Sequence, residues 1–287
     1  MKRKGIILAG GTGTRLWPIT MGVSKQLLPV YDKPMIYYPL TVLMLADIRE
    51  IAIITTPEDQ AQFQRLLGDG SQWGLRLEWI TQAVPEGLAQ AYLLAGSFLD
   101  GAPSAMVLGD NLFFGHGLPE LMASATAQGG TVFGYRVADP QRYGVIDFDA
   151  DGQVRAIVEK PANPPSSYAV TGLYFLDGRA PELAASVKPS ARGELEITSL
   201  LALYLAEGAL QVRQMGRGFA WLDTGTHESL LDAGNFVRTI EQRQGLQMGS
   251  PDEIAFHKGW IDAAALAKRA ELFAKTNYGS YLKALIG

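Results

Sequence analysis

The run Gly5-Ile6-Ile7-Leu8-Ala9 passes straight into Gly10-Gly11-Thr12-Gly13-Thr14-Arg15, and no other feature limits the fold so tightly. An apolar, β-branched segment without polar alternation suits a strand buried on both faces, which requires a sheet covered by helices. The glycines that follow let the backbone turn sharply and bring its N–H groups close to an anion. An α/β sheet begins in this way, with ligands expected beyond the carboxyl ends of its strands.

The first half of the chain keeps that rhythm. Pro34 opens an expected helix through Ala46, with Pro39 marking a second start or a kink inside it. Strands are expected over 48–56, 75–82 and 105–110. Helices are expected from Pro57-Glu58-Asp59, whose acids suit a helix N-terminus, and over 86–98. After a helix near 118–128, segments 131–137, 143–148, 154–159 and 168–176 read as strands. They are joined by turns such as Asp149-Ala150-Asp151-Gly152, too short for crossover helices, so an antiparallel extension is expected. Helix resumes over 194–208, strands over 210–215 and 219–222, and a long helix over 227–243. The tail is helical where Asp262 opens an acidic first turn. With no repeat or low-complexity linker, the expectation is one integrated core over 1–243, with two lobes, and a helical C-terminal region over 244–287.

Composition narrows the function. The 287 residues are 47% hydrophobic, enough to bury a substantial core. A formal charge of -4 without a long basic run argues against nucleic-acid binding. The absence of cysteine excludes disulfides, thiolate nucleophiles and cysteine-ligated clusters, while leaving carboxylate-bound magnesium open. The apolar run after Met1-Lys2-Arg3-Lys4 stops too soon for a signal peptide, and no stretch approaches the roughly 20 apolar residues that span a bilayer. The expected location is the cytoplasm.

Arg15 and Lys25 supply positive charge beside the glycine loop, which by itself is equally a tight turn. A Walker A loop is excluded because no lysine stands in register after Gly13, and a dinucleotide fingerprint because its last glycine position holds Leu16. Asp110 and Asp223 each emerge from an apolar segment. Such carboxylates either cap a following helix or gain a cation that offsets their desolvation. His116, His227 and His257 form no zinc motif. Gln82, ending a strand before Gly87, carries the donor and acceptor needed to pair with a pyrimidine edge. Glu159-Lys160-Pro161 puts opposite charges side by side at another strand end.

The stretch GIILAGGTGTRLWPIT, with SKQLLPVYDKPMIYYPL soon after it, resembles the opening of the sugar nucleotidyltransferases, and especially the glucose-1-phosphate thymidylyltransferases. The likeness continues through Leu108-Gly109-Asp110-Asn111, Glu159-Lys160-Pro161, Ala169-Val170-Thr171-Gly172, Arg192-Gly193-Glu194-Leu195-Glu196-Ile197-Thr198 and Trp221-Leu222-Asp223-Thr224-Gly225-Thr226, nearly the whole chain. The resemblance implies a Rossmann-like, mostly parallel α/β sheet with an antiparallel sugar-side lobe and a helical C-terminal cap. It implies transfer of a thymidylyl group from dTTP to α-D-glucose 1-phosphate, giving dTDP-glucose and pyrophosphate with Mg2+. On the matching positions, Leu8, Gly10, Gly11, Thr12, Gly13, Thr14, Gln26, Gln82 and Gly87 would bind the nucleotide. Gly144, Glu159, Lys160, Val170, Gly172 and Arg192 would bind the sugar phosphate, Asp110 and Asp223 the metal. Arg15, Lys25 and the same two aspartates would be catalytic. The resemblance further implies a homotetramer with feedback by a dTDP-sugar such as dTDP-rhamnose. The rival readings are a uridylyl- or cytidylyltransferase, and a noncatalytic nucleotide-sugar sensor.

Three departures stand out. Gln82-Ala83-Val84-Pro85-Glu86-Gly87 replaces the usual Q-P-S-P-D-G, Thr198-Ser199-Leu200-Leu201 replaces T-D-[IV]-N, and Phe114 replaces a tyrosine in F-Y-G-H.

Overall fold

A computed structural model describes residues 1–11 and 13–287 of the chain; Thr12 lies outside the described residues. The opening strand β1 (Lys4–Ala9) is buried on both faces, as its unbroken apolar run requires. Ile7 and Ala9 enter one core, with Ile51, Ile53, Ala105 and Val107. Ile6 and Leu8 enter a second, with Ala52, Ile54 and Met106. The period of two along the strand thus divides the molecule into two packed layers.

Beyond the glycine loop, a hairpin of β2 (Pro29–Val30) and β3 (Lys33–Pro34) leads to helix α1 (Tyr37–Leu45). Pro34 therefore sits in the hairpin and does not open the helix. The backbone N–H groups of Met35 and Ile36 donate to the carbonyls of Leu28 and Gln26, anchoring the entry to α1, with Ile36 as its N-cap. Pro39 falls in the first turn of α1, where its missing N–H is no loss, and the helix continues without a second start.

β4 (Glu50–Thr55), α2 (Gln60–Leu67) and β5 (Arg76–Thr81) continue the alternation. The helix expected over 86–98 is instead two short ones, α3 (Gln90–Leu94) and α4 (Gly96–Leu99). The Glu86 carbonyl and the Ala89 N–H both bond to the backbone of Leu195, holding residues 86–89 out of the helix. β6 (Ser104–Leu108) is followed at once by β7 (Asn111–Gly115), then α5 (Leu118–Ala123) and the strands β8 (Gly130–Arg136), β9 (Gly144–Phe148), β10 (Val154–Glu159) and β11 (Tyr168–Leu176). α6 (Ala180–Ser186) was not anticipated, and α7 (Ile197–Ala206) begins after residue 194 because Leu195 is taken by Glu86 and Ala89. β12 (Leu210–Gln214), β13 (Phe219–Asp223), α8 (His227–Gln244), α9 (Pro251–His257), α10 (Ala263–Leu272) and α11 (Asn277–Ala284) complete the chain.

The fold is mixed α/β. The main path of the sheet runs β10-β9-β11-β6-β1-β4-β5, with β6, β1, β4 and β5 parallel. β11 reverses direction against β6 and carries β8 along its other edge, and β8 in turn pairs with β12. β7 and β13 form a separate antiparallel ribbon. The divergent Leu200 and Leu201 are fully buried in the second core layer, so they serve packing. Phe114 packs edge-on against Phe236 of α8 with 5.7 Å between ring centroids. Among the described residues, no helix is long and apolar enough to cross a membrane.

Candidate functional site

The carboxyl end of β1 opens the site. Gly10 lies so close to the Gln82 side chain that a Cβ there would collide with Oε1, and Gly11 and Gly13 adopt positive φ of 103° and 58°. These are the conformations that favour glycine. Thr14–Leu16 makes one 3-10 turn whose Leu16 is fully buried, leaving Arg15 exposed. Leu8 packs in the core and its carbonyl accepts the Gly109 N–H, so its side chain supports the loop from beneath. Thr12, expected in this loop, lies outside the described residues.

A second 3-10 turn, Lys25–Leu27, aims Lys25 Nζ at Asp110 Oδ2, 2.5 Å away. Gln26 is buried beside it and accepts a hydrogen bond from Ser24 Oγ at 2.9 Å. Asp110 occupies the turn between β6 and β7, and its other oxygen accepts from Asn111 Nδ2 at 2.8 Å. Asn111 Oδ1 accepts from the indole of Trp221 at 2.6 Å. Because β7 pairs with β13 so that Asn111 stands opposite Asp223, two aspartates far apart in sequence come to the same end of one ribbon. Thr224 completes the joint by donating both its N–H and its Oγ1 to the Asp110 carbonyl.

The electrostatics of this pair are asymmetric. Burial, and then the negative charge of Asp110, push the Asp223 carboxyl above the ordinary carboxylate range, against opposing influences from Lys25, Arg142 and Arg15. Two carboxylates at one end of the β7–β13 ribbon offer oxygen donors of the kind a hard cation takes. Among the described residues, no cluster of three or more His, Cys, Asp or Glu forms a complete protein cage. A divalent ion held by Asp110 and Asp223 would draw its remaining oxygen ligands from phosphates and water.

Glu159 closes β10. Its Oε2 accepts from Thr198 Oγ1 at 3.2 Å, and its Oε1 lies 3.3 Å from both Arg192 Nη2 and Lys160 Nζ. Lys160 adopts a φ of 40°, a strained backbone for a residue with a side chain and a conformation that concentrates at functional sites. A Cβ on Gly144 would stand 2.8 Å from Thr198 Cγ2 and 3.6 Å from Glu159 Oε2. Val170 is buried, and Gly172 packs directly on the Asn111 amide. Arg192, expected at a sugar phosphate, is held mainly by Glu196 at 2.8 Å.

Gln82 is buried and donates to Gln90 Oε1 at 2.6 Å, while Gln90 donates to Glu86 Oε2 at 2.8 Å. Gly87 has φ 106°, and a Cβ there would lie 2.5 Å from the Leu195 carbonyl. Close approach of protein backbone thus fixes the glycine here. Arg142, Asn111, Thr198, Glu196, Gln90 and Trp221 belong to these clusters but carried no role in the sequence reading. Arg142 stands in no motif, whereas Asn111, Glu196 and Trp221 lie inside stretches already singled out, without a role assigned to them.

The nucleotidyl transferase family model matches residues 4–240. A glucose-1-phosphate thymidylyltransferase of Xanthomonas campestris pv. campestris is 62% identical over 286 residues, covering 99% of this chain and 97% of that one. Its Neisseria gonorrhoeae counterpart is 56% identical over 286 residues, with 99% of both chains covered. Among solved structures, a Bacillus anthracis protein described as a glucose-1-phosphate thymidylyltransferase, in complex with a sucrose, is 40% identical with a TM-score of 0.76. The match covers 83% of this chain and 96% of that one. UDP-glucose pyrophosphorylase complexed with UDP-glucose is 25% identical with a TM-score of 0.73, covering 84% and 100%.

Proposed function

The chain belongs to the nucleotidyl transferase family, and we propose that it is the enzyme joining a thymidylyl group from dTTP to α-D-glucose 1-phosphate, releasing pyrophosphate. The observation that carries this reading is the meeting of Lys25, Asp110 and Asp223 beside the glycine loop at the carboxyl end of β1. A phosphate oxygen of glucose 1-phosphate attacks the α-phosphorus of dTTP as the bond from that phosphorus to the bridging oxygen breaks. Pyrophosphate leaves on the opposite side. The attacking phosphate is substantially ionised near neutrality, with a second pKa of about 6, so no protein nucleophile or base is required.

Catalysis on this reading is alignment and charge stabilisation. Arg15 and Lys25 neutralise the triphosphate, with Gly10, Gly11, Gly13 and Thr14 shaping the loop around it and Leu8 beneath. Gln82, Gly87 and Gln26 hold the base and nucleoside. Glu159 takes a sugar hydroxyl, Lys160 and Arg192 the sugar phosphate, and Gly144, Val170 and Gly172 shape the hexose pocket. Asp110 and Asp223 would hold Mg2+, which when bound stabilises negative charge on the phosphate oxygens. Residues 1–243 form the catalytic unit on this reading, and 244–287 an assembly or regulatory region. A homotetramer with feedback by a dTDP-sugar such as dTDP-rhamnose, and a cytoplasmic location, complete the proposal.

The similarity to UDP-glucose pyrophosphorylase makes a uridylyl preference the second reading. Thymine and uracil differ by one methyl, a contrast of about 1–3 kcal/mol in a fitted pocket, so some turnover of UTP is expected. Pyrophosphate release measured over a matrix of nucleoside triphosphates and sugar 1-phosphates tests both. The highest kcat/KM should fall on dTTP with glucose 1-phosphate. A higher value with UTP would transfer the assignment, and binding without turnover throughout would leave a sensor.

A further inference from the structure

Arg142 reaches the carboxylate pair from a segment that carries no motif. The single 3-10 turn Pro140–Arg142 between β8 and β9 places its Nη2 3.5 Å from Asp223 Oδ2, while Nη1 is anchored on Asp139 Oδ2 at 2.8 Å. The next two residues reach the same site. Tyr143 packs on Trp221 with 5.1 Å between ring centroids, and Gly144 borders Glu159 and Thr198. Asp110 already has a close cation in Lys25, whereas Asp223, more deeply set, makes among the described residues one ion pair, this looser contact with a half-exposed guanidinium.

We propose that Arg142 is a phosphate-binding residue whose contact with Asp223 competes with a divalent cation for that carboxylate. The inference depends on the reading of Asp110 and Asp223 as the metal pair. Three features support exchange. The contact with Asp223 is long at 3.5 Å, whereas that with Asp139 is a shorter hydrogen-bonded pair at 2.8 Å made through the other terminal nitrogen, so leaving Asp223 does not require leaving Asp139. A guanidinium and a divalent ion at the same carboxylate repel each other, so occupancy by the metal drives Arg142 off. Held near Asp139, the guanidinium would offer planar donors that match phosphate oxygens.

The proposal gives Arg142→Met effects of opposite sign on two ligands. Binding of Mn2+ to the free protein, followed by the paramagnetic signal of unbound Mn2+, should tighten by about threefold to tenfold because a competing charge is gone. Binding of inorganic pyrophosphate at saturating Mg2+, measured by calorimetry, should weaken by about tenfold. Arg142→Lys should retain the Mn2+ affinity of the parent while recovering only part of the pyrophosphate affinity, since a point charge replaces a fork. Arg142 is half-exposed, and matching thermal transitions would establish that the variants fold. If the parent and Arg142→Met bind Mn2+ equally, or if pyrophosphate binding is unchanged, Arg142 is only a partner of Asp139 and the proposal falls. If the parent itself binds no Mn2+, or Asp223→Asn leaves Mn2+ binding intact, the two-carboxylate reading fails first and carries this inference with it.

Discussion

Lys25 Nζ meets Asp110 Oδ2 at 2.5 Å, joining the turn after the glycine loop to the end of the neighbouring parallel strand. The pair lies at the edge where β1 and β6 both terminate, so positive charge is held in place before any phosphate arrives. Preorganised charge of this kind is worth far more than the same charge recruited from solution. Lys25→Met keeps much of the side-chain length and removes only the ammonium. At saturating substrates kcat should fall by about 100-fold or more, with KM for glucose 1-phosphate less affected. A kcat close to the parent value would remove Lys25 from the reacting centre.

Asp223 has an opposite effect on stability. Its folded carboxyl is raised by burial and by Asp110, so between the ordinary carboxylate pKa and the raised one the folded state binds more protons than the unfolded state. Stability therefore declines as pH rises through that window, and above it the full destabilisation persists. Asp223→Asn should raise the melting temperature of the metal-free protein by a few degrees at neutral pH, with the gain vanishing in acid, while abolishing most activity. A lower melting temperature at pH 7 would show that the contacts of the charged form with Arg142 and Lys25 outweigh its burial.

Much of this arrangement was legible in the sequence. Strands β1, β4 and β6 announce themselves as apolar runs because both their faces are buried, and β10 and β11 were read with the bounds they have. Asp110 and Asp223 stood out as carboxylates following apolar segments. What could not be read is pairing across distance. β7 follows the short Gly109-Asp110 turn at once, and its partner is β13, more than a hundred residues on. Leu195 likewise dictates the starts of α3 and α7, through backbone bonds that no local propensity encodes. Arg142 sits in a three-residue turn whose importance comes only from where β9 leads.

Gly87 offers a test of that distant backbone contact. At φ 106°, with Leu195 O 2.5 Å and Leu195 N 2.6 Å from where a Cβ would stand, alanine meets strain and backbone atoms that cannot swing aside. Gly87→Ala should cost about 2–4 kcal/mol, seen as a lower denaturation midpoint with an unchanged slope. Gly152, also at positive φ but with nothing near its Cβ, supplies the control: Gly152→Ala should cost only the conformational part, about 1 kcal/mol. Equal losses at both sites would mean that Leu195 yields and that its contact with residues 86–89 is unimportant.

Glu159 is the residue through which sugar identity should be read. Its carboxylate accepts from Thr198 Oγ1 and approaches both Arg192 and Lys160, so one side chain balances two cations while its oxygens define the floor beside Gly144. Glu159→Gln keeps the shape but turns one acceptor into a donor facing a guanidinium or an ammonium, which the amide must rotate to avoid. A sugar hydroxyl that donates to the carboxylate then loses its charged partner, a difference of about 1.5–3 kcal/mol for hydrogen bonds to charged groups. An epimer lacking that hydroxyl geometry loses nothing. The ratio of kcat/KM for glucose 1-phosphate to that for galactose 1-phosphate or mannose 1-phosphate should therefore fall by about tenfold or more for whichever epimer displaces the contacted hydroxyl. KM for dTTP should stay near its parent value, because the side-chain partners of Glu159 are Thr198, Arg192 and Lys160, none of them assigned to the nucleotide on the proposed reading. If dTTP and sugar parameters worsened together while the epimer ratios held, Glu159 would be acting only by placing Arg192 and Lys160, and the hydroxyl would have to be read by another group.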